Sequence, residues 1–521
     1  MEGTGLTFIG QVCLPPPLRP PTSDLRPATY DTPLPTLDLL VIAAYLLGTL
    51  GLGLWLSRGQ ASSSDYFLGA RTLPWWAVLL SIVATETSAI TVISTPGIGA
   101  RGDLTFLQLP IGYLVGRLGV ALWLLPGYFR GEQDTAYARL EHRFGLPTRR
   151  TLSGVFLVTR FLADGVRIFA GAIPLALLTG WNVQVAIVAM GLVTLGYTLI
   201  GGLKAVIWAD VLQLCVYIAG GIAALLIAWE LAGGPGAALA AASAEGKLRV
   251  VDWRLSLSIP YTFLGGLIGG GMLSAASHGT DHMIVQRLLA TRSLGDARKA
   301  LIGSGIVVIA QFALFLLVGS AIWAAGLAPD TLPSDQIFSR FIIDQLPAGF
   351  SGLVIAGILA AAMSTISSSI NALASSVTHD WYASLTGERD PVRLLRVGRL
   401  VSLAWGLALV GGALGFHALA ARSDTPVVVL ALSIASVTYG ALLGTYLLAG
   451  RDHITGRDVI RGAAATVTVM LVTIFAGRLV AAGVTMLAPL AAVAWPWYVP
   501  LGTAITVTVA HVSAALRRNP S

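Results

Sequence analysis

Apolar runs alternate with short polar interruptions along almost the whole chain. Thirteen runs stand out, at about 37–56, 74–100, 104–128, 151–179, 182–200, 204–229, 259–280, 300–326, 349–378, 397–420, 425–449, 459–480 and 493–515. A helix needs about 20 residues to cross the apolar core of a bilayer, and most of the runs are close to that length. Each reads as a membrane-spanning helix, since a helix satisfies its own backbone where water is absent. The pattern predicts an all-α polytopic membrane protein with a single transmembrane domain over 37–516 and tails at 1–36 and 517–521.

Composition strengthens this picture. Of the 521 residues, 55% are hydrophobic and only 11% are charged, against roughly 25% charged in a soluble protein. Mean hydropathy is +0.77. The net charge of +7 has a topological use: with the N-terminus outside, 21 of the 33 Lys and Arg fall in loops assigned to the cytoplasm. Nine fall outside, and Arg117, Arg160 and Arg167 lie within spans. The excess of positive charge inside puts the N-terminus outside and the C-terminus in the cytoplasm of a cell inner (plasma) membrane. No basic stripe is gathered on one soluble module, which argues against a nucleic-acid partner. Residues 1–36 are Pro-rich, lack the charged start and apolar core of a secretory signal, and are expected to be disordered. Cys13 and Cys215 are the only cysteines, one in the tail and one mid-span, so no disulfide framework is expected.

Two runs are interrupted. The second contains "TSAITVISTPGIG", broken by Pro96 and two glycines, and the seventh contains "FLGGLIGGGMLSAASHG", with five glycines between 265 and 271. By the charge count they run in opposite directions, five helices apart. That is the arrangement of inverted repeats in a secondary transporter; the plainer reading is that glycines let helices pack closely. The ninth run contains "AAMSTISSSIN", with hydroxyls at Ser364, Thr365, Ser367, Ser368 and Ser369. Positions 361, 364, 365 and 368 share one helical face. Hydroxyls and carbonyls freed where a helix unwinds can hold a hard cation such as Na⁺. Taken singly, each hydroxyl could instead bond its own i−4 carbonyl.

Four stretches then make the chain resemble the sodium/solute symporter family of sodium-coupled sugar, proline, sialic acid, iodide and monocarboxylate transporters. They are "DYFLGARTLPWWAVLLSIVATETSAITVISTPG" (65–97), "GGLKAVIWADVLQ" (201–213), "TDHMIVQRLLATRSLGDARKA" (280–300) and "AAMSTISSSINALASSVTHDWY" (361–382). The resemblance implies a leucine-transporter-type fold, with inverted five-helix repeats over about 74–229 and 259–449. It implies a main sodium site from the carbonyls of Ala84, Thr87 and Ala361 and the hydroxyls of Ser364 and Thr365. It also implies, for a subset of members, a second site, here Asp210 with Ser364, Ser367 and Ser368. Alternatively, Asp210 pairs with Lys204 or Arg287. One Na⁺ entering down about 100 mV and a tenfold gradient supports roughly 500-fold accumulation of a neutral solute, and two support about 10⁵-fold.

The fourth run carries Arg160, Asp164 and Arg167 on one face. Charges at this depth face a partner or a cavity. They read either as an internal brace or as a site for a carboxylate, gripped by an Arg fork. Sialic acid transporters of the family use an Arg on this helix, where this chain has Ala163, flanked by Arg160 and Arg167. Thr91, Phe106, Gln108 and Ser277 are expected wall residues by position. Glu86 is a further buried acid, able to balance an Arg or to titrate. The expected function is import of a small carboxylate-bearing solute (sugar acid, amino acid or monocarboxylate) with two Na⁺, by a monomer. A neutral sugar or polyol symporter and a solute sensor on the same core are the alternatives. No nucleophile–base pair or metal-ligand spacing supports an enzyme.

Overall fold

The computed structural model describes residues 34–56, 60–130, 133–420 and 427–518. Most of the N-terminal tail and the last three residues therefore lie outside the described residues. The principal helices are α1 (Thr36–Leu56), α2 (Trp75–Glu86), α3 (Ala89–Arg101), α4 (Gln108–Gly119, prolonged to Tyr128), α5 (Leu146–Thr179), α6 (Val183–Leu231) and α7 (Gly271–Gly279). They continue with α8 (His282–Leu289), α9 (Leu294–Ala324), α10 (Phe350–Ser376), α11 (Pro391–Ala420), α12 (Val427–Leu448), α13 (Gly456–Ala481) and α14 (Tyr498–Arg518). Among the described residues, nine helices are long and apolar enough to cross a membrane, or ten when the bent pair α2–α3 counts as one span.

The fifth and sixth apolar runs form a single helix, α6, of 49 residues. At 1.5 Å per residue it is roughly 70 Å long, more than two bilayer cores. It is not straight: Gly202, at the junction of the two runs, has φ +55°. A Cβ there would come within 2.5 Å of the Tyr66 carbonyl, so glycine is needed for both backbone and space. The neighbouring carbonyl of Gly201 accepts from Gln60 Nε2 at 2.5 Å.

The two interruptions fall elsewhere than the glycines suggest. The helix continues through Pro96, and the break lies between α2 and α3, which meet at 70°. Thr87 and Ser88 are extended, and Ser88 Oγ caps α3 by accepting Thr91 N–H at 3.4 Å. The second break lies after the glycines, at Thr280–Asp281, where the Asp281 carboxylate accepts Met283 N–H at 2.9 Å and caps α8. Each break is a Thr followed by a strong N-cap residue, and the cap is what restarts the helix.

The glycines serve packing instead. A Cβ on Gly112 would sit 1.9 Å from the Gly266 carbonyl oxygen, and one on Gly116 2.0 Å from that of Gly271. A Cβ on Gly319 would lie 1.8 Å from the Pro96 carbonyl. Backbone-to-backbone approach of this kind is how small residues join helices where lipid gives no hydrophobic drive. At the centre lies α10: 94% of its most apolar stretch is buried, and its most extensive neighbour is α6. The α5 helix also lies along it, with Ser153 Oγ 2.7 Å from Ser376 Oγ.

Gly116→Val should force α4 and α7 apart, since both nearest atoms are backbone, and cost at least about 3 kcal/mol, the upper range of overpacking. A thermal melt of the purified protein should drop sharply, whereas Gly415→Ala, with nothing within 4 Å of its Cβ, should melt like wild type. Equal melting of the two variants would refute the close-approach role.

Candidate functional site

The last turn of α2 faces the hydroxyl-rich turns of α10. Thr85 Oγ1 lies 3.1 Å from Ser368 Oγ. Thr87 N–H, bonded to Val83 O at 3.1 Å, closes the last α-type bond of α2, so the carbonyls of Ala84, Thr85 and Glu86 lie past the end of the ladder. The Thr87 hydroxyl lies between Val83 O at 2.9 Å and the Gln311 amide at 3.1 Å. On α10, Thr365 Oγ1 donates to Ala361 O at 3.3 Å and Ser364 Oγ donates to Asp210 Oδ1 at 2.6 Å. A hydroxyl that gives its proton away still has lone pairs for a cation. Ala84, Thr87, Ala361, Ser364 and Thr365 are all buried.

Asp210 meets a cation of the chain's own. Arg287, on α8, is fully buried and forms a salt bridge to Asp210 Oδ2 at 3.1 Å. The same Nη2 nitrogen donates to Ser368 Oγ, Nε donates to Ser81 Oγ at 2.9 Å, and Nη1 donates to Met283 O at 2.8 Å. Ser81 Oγ also donates to Asp210 Oδ2, at 2.6 Å. Of the readings open for Asp210, the ion pair with Arg287 is the geometry seen; Lys204 is exposed. Ser367 Oγ, expected at the second sodium site, donates to Ser364 O at 3.0 Å.

The charges on α5 are likewise paired. Arg160 donates to Asp281 Oδ2 through Nε at 3.0 Å and Nη2 at 2.5 Å, and Nη2 reaches Tyr439 Oη at 3.1 Å. Asp164 lies 3.5 Å from Arg160 and 3.3 Å from Arg167, and accepts Ser369 Oγ at 2.5 Å. Sequence spacing gave the pairs within α5 but missed Asp281 and Tyr439, which are distant in the chain. The side chain of Arg167 is 27% exposed, against 5% for Arg160. Arg160 and Ala163 line one small cavity of about 10 Å³ together with Asp281 and Tyr439, room for no more than a water.

Glu86 balances an arginine. Arg117, wholly buried, bonds its carboxylate, donates to Ser304 Oγ at 2.6 Å, and has Ser274 Oγ at 3.4 Å from Nε. His278 Nε2 lies 3.6 Å from Glu86.

The four wall residues do not gather in one place. Thr91 Oγ1 sits 3.2 Å from Ser88 Oγ at the α2–α3 break, and Ser277 Oγ lies 2.8 Å from His278 Nδ1. Phe106 packs on Tyr261 and Phe312. Gln108 accepts Asp252 N–H at 3.0 Å and donates to Tyr261 O at 3.1 Å. Phe106 thus lines a larger cavity of about 440 Å³, walled also by Arg101, Asp103, Arg249, Asp252 and Tyr261. There Arg254 chelates Asp252, and those hydrogen bonds hold its carboxyl down to about 2.

Residues 66–449 match the profile of SSF, the Sodium:solute symporter family. The chain belongs to this family. Membership places it among sodium-coupled membrane transporters and not among enzymes. The symporter is 31% identical to the human sodium/iodide cotransporter over 79% of its own length and 65% of that protein, so it spans just under two thirds of that relative. Identity to the sodium/sialic acid symporter SiaT of Proteus mirabilis (strain HI4320) is 30%, over 71% of this chain and 76% of the relative. With human sodium-coupled monocarboxylate transporter 2 it is 28%, over 79% and 68%. A solved substrate-bound, outward-open Na⁺-coupled sialic acid symporter superimposes with a TM-score of 0.81 at 24% identity, covering 92% of this chain and 98% of that one. A nucleobase-cation-symport-1 family transporter in a closed conformation gives 0.52 at 16% identity, over 87% and 94%. The symporter therefore has the leucine-transporter-type fold.

The Arg160–Asp281 pair should behave as one unit. Removing one partner of a buried pair costs about 3–5 kcal/mol because the other charge stays buried alone. Asp281→Asn, which keeps the helix cap, should thus lower the thermal midpoint of the symporter markedly. Adding Arg160→Gln should recover part of the loss. Additive losses in this double-mutant cycle would show that the two side chains act independently.

Proposed function

We propose that this symporter imports a small carboxylate-bearing organic solute, drawn in by Na⁺ bound where the α2–α3 break faces α10. The membrane would be the plasma membrane, with the N-terminus outside, the C-terminus in the cytoplasm, and alternating access between two five-helix repeats over about 74–229 and 259–449. The observation that supports the reading is the contact between the end of α2 and the hydroxyl-rich turns of α10. The carbonyl of Ala84 lies past the last α-type bond of α2, and Thr85 of the same turn meets Ser368 of α10, in the turn after Ser364 and Thr365. Neutral oxygens suit an ion that must be released again on the other side, since they hold a hard cation without trapping it.

The carboxylate rests on two supports. Several relatives are named for anions: sialic acid, monocarboxylate and iodide. In the symporter itself, Arg167 bonds Asp164 alone among the described residues and has a partly exposed head. It retains donors for a bidentate carboxylate contact. Arg160 reaches the small cavity beside Ala163, but Asp281 already engages it.

Ser364→Ala and Thr365→Ala should each raise the sodium concentration for half-maximal uptake by tenfold or more in proteoliposomes, while the protein still purifies as a monodisperse species. Ligands are lost and packing is not. Wild-type sodium dependence in both variants would show that the ion lies elsewhere.

For the solute, uptake driven by a sodium gradient should be competed by sialic acid, lactate or pyruvate far better than by neutral hexoses. Arg167→Ala should raise the apparent KM for the best competitor about tenfold with little change in kcat, because it removes one charge-assisted contact worth roughly 1.4 kcal/mol. A competition profile led by glucose or galactose would favour the neutral-sugar reading instead.

A further inference from the structure

We infer that the start of α13 and the end of α14 form a binding site for the headgroup of an anionic phospholipid. The two helix ends are tied together. Arg461 Nη1 donates to Ser513 Oγ at 2.9 Å, and Arg517 Nη2 donates to His453 O at 3.1 Å and to Asp458 Oδ2 at 2.9 Å. The rings of His453 and His511 meet edge to face at 5.2 Å. This corner gathers Arg451, Arg457, Arg461, Arg517 and Arg518 against Asp452 and Asp458.

The two acids are already engaged. Asp458 is buried, and its Oδ1 accepts Ser513 Oγ at 2.8 Å. Its Oδ2 accepts the Thr455 N–H at 2.9 Å and hydroxyl at 2.6 Å, besides Arg517. Asp452 lies 3.9 Å from Arg143, which comes from the segment before α5. Among the described residues, Arg457 and Arg461 have no carboxylate within ion-pair distance. Yet Arg461 lies about 8 Å along α13 from its first residue, in a helix apolar enough to cross the membrane. The arginines inside the bundle, Arg117, Arg160 and Arg287, each have a carboxylate. Arg461 has a serine, and uses one of its five donors on it. Its counter-charge has to come from outside the described chain.

The surface next to these two arginines suits acyl chains. Arg457 and Arg461 are i and i+4 neighbours on one helical face, and both are exposed. The same stripe runs on through Ala464, Thr468 and Leu471, all exposed, with the Thr468 hydroxyl turned back onto Ala464 O at 3.0 Å. On α14, Val512 and Leu516 are 52% and 71% exposed. Charged heads at one end of a small and apolar stripe match a phosphate above hydrocarbon. The excess of arginine over aspartate favours a headgroup of net negative charge over a zwitterionic one. With the C-terminus in the cytoplasm, as proposed above, this is the leaflet in which anionic lipids gather.

The test titrates the purified full-length symporter, in a neutral detergent, with dioctanoyl phosphatidylglycerol, dioctanoyl phosphatidylcholine or glycerol 3-phosphate. An apparent Kd is read from the rise of the thermal midpoint, since a ligand of the folded state stabilises it by mass action. Wild type should bind phosphatidylglycerol more tightly than either other probe. Arg457→Gln combined with Arg461→Gln should weaken that binding by roughly 30-fold, about fivefold for each arginine near an anionic surface. Arg389→Gln combined with Arg393→Gln removes two exposed arginines at the N-terminal end of α11 and should leave the Kd unchanged. Equal affinity for the two lipids overturns the inference, as does an unchanged Kd in the α13 variant. An equal loss in the α11 variant also overturns it, because the attraction would then belong to the whole charged face. Glycerol 3-phosphate bound as tightly as the lipid would make this a free-phosphate site and overturn the lipid assignment. If the α13 double variant does not purify, Arg457→Gln alone takes its place, where a loss of about fivefold supports the inference and no loss overturns it.

Discussion

A guanidinium carried into a bilayer must meet a carboxylate there, because a bare charge in the apolar core costs several kcal/mol. Three such meetings tie together the parts of this symporter that have broken helices. Glu86, at the end of α2, holds Arg117 of α4. Asp281, at the second break, holds Arg160 of α5. Asp210 of α6 holds Arg287 of α8. Each pair has one member on a broken span, and hydroxyls of α10 complete two of the three, Ser369 reaching the Arg160 group through Asp164 and Ser364 reaching Asp210. Helix α10 is polar along one face for this reason, although it is the most buried of the candidate spans.

The hydroxyl rung therefore serves two ends. Ser364 both supports Asp210 and belongs to the proposed sodium site, so the ion and the Asp210–Arg287 pair share a ligand. Among the described residues Thr365, one residue on, bonds only its own Ala361 carbonyl, at 3.3 Å. That bond is long for a hydroxyl and weak to give up. The single-residue reading of these hydroxyls as helix back-bonders holds for Thr365, while Ser364, Ser368 and Ser369 bond across to other helices.

Much of this was legible in the sequence, and the limits have physical causes. Span positions follow from a 20-residue apolar length, which is local, so α1, α5, α9 and α10 fall close to where the hydropathy places them. Pairing within α5 was readable because i, i+3 and i, i+4 neighbours are fixed by helix geometry. Break positions were misjudged because Pro and Gly were read as breakers. In a membrane, Pro96 is tolerated within α3, and the glycines buy close approach. The signal that marks the breaks is smaller, a Thr followed by Ser88 or Asp281 as N-cap. Partners such as Tyr439 and Ser304 are set by tertiary packing between distant segments, and no local pattern reveals them. Phe106 and Gln108 were placed by position alone, and packing puts them with the 249–261 segment and not beside Ser277.

One buried guanidinium ties together four of the helices around the breaks. Arg287 links α8 to Asp210 of α6, to Ser81 of α2 and to Ser368 of α10. The tie joins α2 and α8, which adjoin the two breaks, through one guanidinium. On the reading proposed above, sodium at the end of α2 would add a link between the break and α10. The energetics follow. One Na⁺ carried with a monoanionic solute moves no net charge, so membrane potential contributes nothing and a tenfold sodium gradient supports only about tenfold accumulation. The same ion carried with a zwitterion also gains about 2.3 kcal/mol per 100 mV, bringing the ratio to roughly 500. Two sodium ions with a monoanion would be electrogenic and support about 5,000-fold. The net charge of the solute and the number of ions carried with it therefore decide how much of the membrane's energy a symporter can use.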